Sequence, residues 1–581
     1  MYFASLCTVL TYTSVALARP SQHFARHITP SGLQDSYDYV IVGSGPGGSP
    51  GRPPRHGRQV RPAHRRRRRP GRVDPYRVPA LSLQSTEYEP MRWDYYVNHF
   101  SNLTYQKQDS KMTYRTASGA TVPAQERLGR HRLPHRRRVV VRLNMRKYFE
   151  RLEKCSYLLN GGSGHGFSGW LSTSLTDLTL VVTDLKLLRI VLNTAISMGQ
   201  GGLLTWLITT VGGLTGVLLQ DLNVDSPSRD SVQGVYQIPI ATDAGSRSGP
   251  RQLIVDVTGA QNSDGSRKFR LDVLLDTLVT KVRFDTTGSK PRAVGLLKLS
   301  GVGPQAELAA HGIPLVANLP GVGTNLQDRY ETTVIGKTTS DFAVTGACNF
   351  YRTPDDPCLQ RWEAGGSSPT LKGVYASNGI ALGVVRKSTA AAAGDDPDTF
   401  ILGAPVGFKG YYPGYSADST VDARHWTWLT LKAHTRNRAG TVRLRSADPR
   451  DTPLIDFNNF EDPAAAALDV RAVVEGMKYT RGLINSVGGF TEVWPGPQVA
   501  SDAQLSDWTR KESWGHHASC TCPIGPDGDA QAVLDSKFRV RGVDGLRVVD
   551  ASVFPRIPGF FIAVPVYMVS EKAADTILGL G

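Results

Sequence analysis

Apolar and polar positions along this chain predict its elements unevenly. Tyr37 to Val42 is a short apolar run with β-branched residues, and it leads straight into Gly43-Ser44-Gly45-Pro46-Gly47-Gly48. That is the pattern of a first parallel strand turning into a phosphate-binding loop. The helix that should follow is contradicted at once, because Pro50, Pro53 and Pro54 remove donors and crowd the preceding turn. Met145 to Tyr157 places apolar residues at helical spacing with charges on the other face, which predicts an amphipathic helix. Residues 199–220 carry no charge, yet their glycines, threonines and missing basic flanks predict a buried helical stretch in preference to a membrane span. Leu271 to Phe284, Trp426 to His434 and Gly440 to Leu444 read as strands, and Asp462 to Ile484 reads as a helix. The opening run, Phe3 to Leu17, ends in Ala16-Leu17-Ala18. Residues 1–18 are therefore expected to be a secretory signal, with a buried N-terminal strand as the alternative.

Length and composition then bound the picture. At 581 residues with 40% hydrophobic residues, the chain can form two packed domains with separate cores. The net charge of +16 suggests a polyanion partner until its distribution is seen. Residues 51–77 hold eleven arginines against the single acid Asp74, and residues 125–146 hold eight against the single acid Glu126. Outside these two windows the chain is close to neutral. The clusters lack interleaved aromatic residues, so a site for nucleic acid or acidic polysaccharide is the weaker reading. Of six cysteines, Cys7 lies in the presumed signal. Cys348 and Cys358 could close a short loop, whereas Cys520 and Cys522 are too near each other to bridge easily. A metal site of Cys520, Cys522 and His517 lacks a second ligand pair at zinc spacing, so no metal is expected. Asn102-Leu103-Thr104 is a glycosylation sequon consistent with export.

The chemistry-bearing segments lie at the two ends. Beside the Gly43 to Gly48 loop stand Leu299 to Pro304 (LSGVGP), Leu319 to Asp328 (LPGVGTNLQD), Gly440 to Pro449 (GTVRLRSADP), Pro453 to Phe460, and the run from Trp514 to Asp575 with His517 to Gly525 (HASCTCPIG) and Val540 to Ser552 (VRGVDGLRVVDAS). In this order they resemble the glucose-methanol-choline (GMC) family of flavin-dependent oxidoreductases, especially its secreted fungal members. The resemblance implies an α/β fold in which a doubly wound FAD-binding domain is interleaved with an α+β substrate domain on an antiparallel sheet. It places the N-terminal part of the FAD domain at 36–335, the substrate domain mainly at 336–500, and a return to the FAD domain with the catalytic segment at 501–581. It also implies oxidation of a CH–OH group of a small alcohol or sugar, with dioxygen or another electron acceptor completing the cycle, and neither nucleic acid nor membrane as partner.

Removing a hydroxyl proton needs a base within hydrogen-bond reach, and imidazole is competent near neutral pH. The resemblance gives that role to His517. It assigns Gly43, Ser44, Gly45, Gly47 and Gly48 to the cofactor diphosphate, Val279 to the adenine end, and Asp550 and Ala551 to the flavin side. The family's second polar partner falls on Phe561, which cannot orient an alkoxide. Either one histidine suffices, or His516 or a backbone group substitutes, or activity is weak or different. Three family segments are also missing: the second strand with its ribose carboxylate, the flavin-cradling segment near 125–145, and the strand before Leu296. Arginine, proline and glycine replacing helix and strand formers in 51–77 and 125–146 is what a GC-rich coding segment read out of frame would produce. Impaired FAD binding is the expected consequence, and a folded but inactive relative is the further alternative.

Overall fold

The structure, a computed structural model, describes residues 6–8, 39–43, 45, 60–63, 74–88, 96–115, 121–123, 126–127, 142–158, 164–200, 212–214, 218, 221–226, 230–274, 279–280, 283–285, 292–294, 297–350, 353 and 355–580. Ten strands and five helices frame the site. In chain order the strands are β1 (Leu6–Thr8), β2 (Tyr39–Val42), β3 (Val60–Ala63), β4 (Gly234–Tyr236), β5 (Tyr330–Thr338), β6 (Leu382–Arg386), β7 (Thr399–Ala404), β8 (His425–Lys432), β9 (Phe490–Trp494) and β10 (Leu546–Arg547). The helices are α1 (Arg142–Leu152), α2 (Leu185–Ser197), α3 (Pro463–Val487), α4 (Asp502–Glu512) and α5 (Ala563–Leu578).

Two sheets divide the molecule. The smaller is parallel throughout, in the order β10-β1-β2-β3. Leu6–Thr8, inside the run expected to be a leader, pairs as a strand with β10 and β2. The larger sheet is antiparallel, in the order β4-β6-β7-β8-β5-β9. It is the antiparallel platform expected beside the parallel domain, and it recruits β4 and β5 from N-terminal of residue 336.

Each sheet has its own core. Ile41, Val302, Leu534, Val548 and Val566 pack about the parallel sheet. Val334, Ile401, Trp426 and Trp428 pack with Ile190 of α2 and Val473 and Met477 of α3 on the antiparallel one. Each such side chain, fully buried, stabilises the fold by roughly 1.5–3 kcal/mol. Helix α3 begins where the sequence predicted, because the Asp462 carboxylate accepts from the amides of Ala464 (2.9 Å) and Ala465 (3.1 Å) and so satisfies two orphan donors of the first turn. It lies flush on β8 only because residue 476 is glycine. A Cβ there would come within 2.4 Å of Thr430 Cγ2.

Two expected elements differ. The helix predicted through Tyr157 stops at Leu152, and Glu153–Cys155 becomes a strand parallel to Leu171–Thr173. The Glu153 carboxylate faces inward and binds His165 Nδ1 (2.9 Å) and Thr173 Oγ1 (2.9 Å), and this turns the chain out of helical phase. Among the described residues of the stretch Leu271 to Phe284, Arg283 and Phe284 belong to a ladder strand, Arg283–Asp285, paired with Arg292–Val294. Trp426 to His434 and Gly440 to Leu444 coincide with β8 and with the strand Thr441–Arg443. Cys348 and Cys358 are joined in a disulfide. The helix expected after the glycine loop, most of 199–220 and most of both arginine windows lie outside the described residues. Among the described residues no helix is long and apolar enough to cross a membrane.

Candidate active site

His517 is placed by docking of its whole segment. Helix α4, opened by a capping box between Ser501 and Gln504, delivers the chain to Trp514, which exchanges two backbone hydrogen bonds with Glu331 of β5 (2.9 and 3.1 Å). Five residues on, Ser519 does the same with Gln327 (3.0 and 3.1 Å). Between these bonded pairs the His517 amide donates to Asp328 Oδ1 at 2.7 Å. Gly515 is required here, since a Cβ would meet the Arg329 carbonyl oxygen and Asp328 Cγ, each at 2.6 Å.

The imidazoles converge on one carboxylate. His517 Nδ1 stands 3.2 Å from Glu331 Oε1 and His516 Nδ1 stands 3.6 Å from the same oxygen. The two rings lie 4.0 Å apart between centroids. Trp514 stacks on His516, and Tyr411 meets it edge-on. Phe561 turns its ring against His517 at 5.2 Å and against Phe400 at 5.8 Å, so the position that the family fills with a polar group is an apolar wall. Glu331 is fully buried, and a carboxylate so placed needs compensation. Arg329 is equally buried and donates from Nη2 to the Pro558 carbonyl at 2.6 Å. Burial lowers its pKa to about 10 against the opposing pull of Asp328, Glu331 and Cys520, so it stays cationic at neutral pH.

The cofactor-side residues gather at one edge. Gly43 follows β2 with φ +95°, a left-handed conformation that glycine adopts without strain, and Gly45 is buried next to it. Asp550 follows β10, where its carboxylate accepts from the Ser552 amide at 2.8 Å. Both strands are parallel members of one sheet, so both residues sit at carboxyl ends of strands, the edge where α/β sheets bind ligands. Cys520 N donates to Ala551 O (3.1 Å) and Cys522 N to Ser552 O (2.9 Å), which ties the histidine segment to that edge. Val279 is half-buried, while Ser44, Gly47 and Gly48 lie outside the described residues.

Residues 435–570 match the GMC oxidoreductase family model, and it is to members of this family that the chain is similar. Its relatives include patulin synthase of Aspergillus clavatus, 36% identical over 308 residues that cover 49% of this chain and 47% of that protein. The oxygen-dependent choline dehydrogenase of Vibrio vulnificus is 31% identical, over 54% of this chain and 53% of its own. The chain thus spans about half the length of the curated relatives it matches. Among solved structures, Aspergillus oryzae formate oxidase superposes with a TM-score of 0.69 at 17% identity, covering 94% of this chain and 98% of its own. A fungal aryl-alcohol oxidase gives 0.58 at 18% identity, covering 94% and 99%. At these identities the likeness is one of fold.

The sequence missed Glu331, Asp328, Arg329 and Trp514 as parts of the site. A signal for Glu331 was available: an acid near the start of the strand Tyr330–Thr338, which is otherwise apolar and threonine-rich up to Gly336, marks a buried charge, which is rare unless it is paired or functional. Cys520 and Cys522 are held as thiols, their pKa values pushed up to about 12, mainly by burial. The ligand-type cluster containing His517 is Glu331–His516–His517 and includes neither cysteine.

Residues that suit part of a flavin dinucleotide are present. They are the Gly43 turn on the diphosphate side, and on the flavin side the Asp550 carboxylate and the N-terminus of α5, whose cap residue Ile562 makes no side-chain hydrogen bond. The ribose end does not match, since β3 ends in Val60-Arg61-Pro62-Ala63 and leads into arginines with no carboxylate.

Proposed function

We propose that this chain oxidises the CH–OH group of a small alcohol with FAD as its redox group and His517 as the base. Gly43 and Gly45, with Ser44, Gly47 and Gly48 beside them, would approach the diphosphate, Val279 the adenine end, and Asp550 with Ala551 the flavin side. When bound, the isoalloxazine supplies an acceptor for the hydride leaving the carbinol carbon. The protein's own part is proton handling. Glu331 at Nδ1 holds the His517 ring with Nε2 turned to the substrate hydroxyl, and it stabilises the imidazolium formed when the proton arrives. Phe561 excludes water and offers no hydrogen bond. His516, on the same carboxylate, takes the place of the second polar group expected at residue 561.

The observation that carries this reading is the attachment of the His517 segment at both ends, to Glu331 by Trp514 and to Ala551 by Cys520. The test is anaerobic bleaching of the flavin absorbance of recombinant holoprotein by a panel of alcohols. Replacement of His517 by Ala should slow bleaching by about 10²- to 10⁴-fold, and an unchanged rate would refute the assignment.

Export of the chain, with dioxygen or another soluble acceptor reoxidising the flavin, belongs to the same proposal. Its support is the Cys348–Cys358 disulfide, a bond that persists in oxidising compartments, and the exposure of Asn102 in its sequon.

A further inference from the structure

A cavity of about 120 Å³ opens beside His516, Glu331 and Phe561. Its walls are almost wholly apolar, formed by Leu178, Phe350, Leu402, Val406, Phe408 and Leu429. The polar side chains among the lining residues are mostly engaged with protein. Thr427 Oγ1 donates to the Val406 carbonyl (2.6 Å) and accepts from the Phe408 amide (3.0 Å), Thr420 Oγ1 donates to the Ser416 carbonyl (2.9 Å), Ser377 and Thr176 share a hydrogen bond (3.1 Å), and Gln237 donates to the Thr176 carbonyl. Among the described lining residues, Asn378 Nδ2 and Thr345 Oγ1 are buried without a hydrogen-bond partner. The one carboxylate on the lining, Glu331, already faces two imidazoles, with the Arg329 guanidinium close by.

Size and polarity together select a ligand class. An apolar cavity of roughly 150 Å³ accepts one benzene molecule, so the space here is that of a single ring or a compact branched chain. A sugar or polyol of that bulk would bring several hydroxyls, and each one stranded without a partner costs roughly tenfold in affinity or more. Few side chains on the described walls are left to meet them. A cation such as choline would lack an uncommitted carboxylate to face.

We propose that the alcohol oxidised by this chain carries an apolar body about the size of one ring, an aryl or cycloalkyl carbinol with at most one or two polar substituents, and that sugars, polyols and quaternary ammonium alcohols are poor substrates. The inference rests on the proposed alcohol oxidation for its chemistry and on the cavity for its choice of substrate. The hydroxymethyl group sits at the end formed by His516 and Phe561, the lining residues whose rings lie 4.0 and 5.2 Å from that of the base His517, and the ring fills the space between Leu402, Val406 and Phe408.

Two measurements on the FAD-loaded full chain separate this proposal from the reading beneath it. The first is anaerobic flavin bleaching by benzyl alcohol, cyclohexylmethanol, glucose, glycerol and choline. The second is binding of toluene, which cannot be oxidised as an alcohol, monitored by quenching of tryptophan fluorescence. The ring carbinols should exceed glucose, glycerol and choline by at least tenfold in kcat/KM. Toluene should bind, and Val406→Phe, with Leu402→Phe as a second variant in case the first misfolds, should weaken both toluene binding and ring-alcohol turnover by tenfold or more while circular dichroism stays unchanged. Glucose, glycerol or choline matching or exceeding the ring carbinols would overturn the substrate class and leave alcohol oxidation standing. Toluene binding that is lost in the variants, with no bleaching by any alcohol, would uphold the ring-sized site and overturn the oxidation. Absence of toluene binding together with variants that turn over ring alcohols normally would overturn the cavity assignment.

Discussion

The antiparallel sheet and the parallel sheet of this molecule were built to different standards. The first has six strands, among them runs of nine, eight and six residues in β5, β8 and β7, with paired tryptophans at its centre and two helices on its back. Among the described residues the second has four strands of two to four residues, and the sequence on either side of β3 is dominated by arginine and proline. A strand of three residues contributes few ladder bonds and little apolar area, so its place depends on neighbours. The difference shows where the site draws its order. The His517 segment is bonded to Glu331 of β5 and to Gln327 and Asp328 just before it, and it meets the weak sheet through the Asp550–Ser552 loop and through Cys520 and Cys522 in that sheet's core. The geometry of the base is therefore expected to survive damage to the nucleotide end.

Matched truncations expose the contrast most strongly. Ile401 is fully buried in β7, so Ile401→Ala should fall at the upper end of the roughly 2–5 kcal/mol that such a truncation costs. Ile41 is 6% exposed in β2, and Ile41→Ala should fall at the lower end, about 2 kcal/mol. Urea unfolding monitored by fluorescence and circular dichroism measures both. Equal costs would mean that the short sheet is as tightly packed as the long one.

A smaller effect probes the loop at the cavity mouth. The disulfide closes a loop of ten residues in sequence separation around Phe350, and Cys348→Ser should destabilise by about 3 kcal/mol through the freed unfolded chain. An unchanged midpoint would show that the loop is held by packing of Tyr375 and Trp362 alone.

The nucleotide end is probed by its ligand. Lacking a ribose carboxylate after β3, the chain should purify with less than one flavin per molecule. Adding FAD at about a hundred times its dissociation constant should then stabilise it by about 2.7 kcal/mol. Full flavin occupancy on purification, with no response to added FAD, would put the missing contacts elsewhere in the chain.

The same contrast governs what the sequence could reveal. The His517 segment and the Asp462 helix start were legible because their signals are local, a nine-residue motif in one case and a cap followed by alanines in the other. Glu331 was not, because it lies 186 positions before His517 and only the register of β5 against Trp514 joins them. The stop of α1 at Leu152 escaped notice because what ends it is a buried carboxylate answering His165, a contact across the turn that no helical periodicity carries. The order of the six strands was likewise invisible, since alternation fixes which face a residue takes and says nothing of its neighbour. The arginine windows could be recognised as foreign to the fold from composition alone, because a charge that dense cannot line a buried strand.

The smallest predicted effect turns on two buried histidines with opposite protonation. His165 lies between Glu153 and Asp221, with Nδ1 and Nε2 at 2.9 and 2.7 Å from their oxygens. Burial lowers its pKa, but hydrogen bonds to Asp221, Cys155 and Glu153 outweigh that and raise it to about 11. His434, which follows β8, is lowered to about 4, first by burial and then by the charges of Arg329 and Lys432, with Asp396 and a bond to the Ile557 backbone opposing. A raised pKa gives stability that is complete below the unfolded value near 6.5 and fades as pH climbs toward 11. A lowered histidine pKa does the reverse: neutral His434 costs nothing above pH 6.5, but between 6.5 and 4 the unfolded chain takes up a proton that the folded chain refuses. Below pH 6.5 His165 is charged in both states and adds no slope, whereas His434 removes roughly 1.4 kcal/mol per pH unit. His425, also lowered by burial, adds a lesser share of the same sign. Urea midpoints of the parent chain should therefore fall from pH 6.5 to 5, and His434→Gln should flatten that fall by about half or more while leaving the alkaline limb intact. Parallel acid limbs in the two proteins would mean that His434 takes up its proton in the folded state, and that the end of the strong sheet beside Arg329 is wetter than its packing implies.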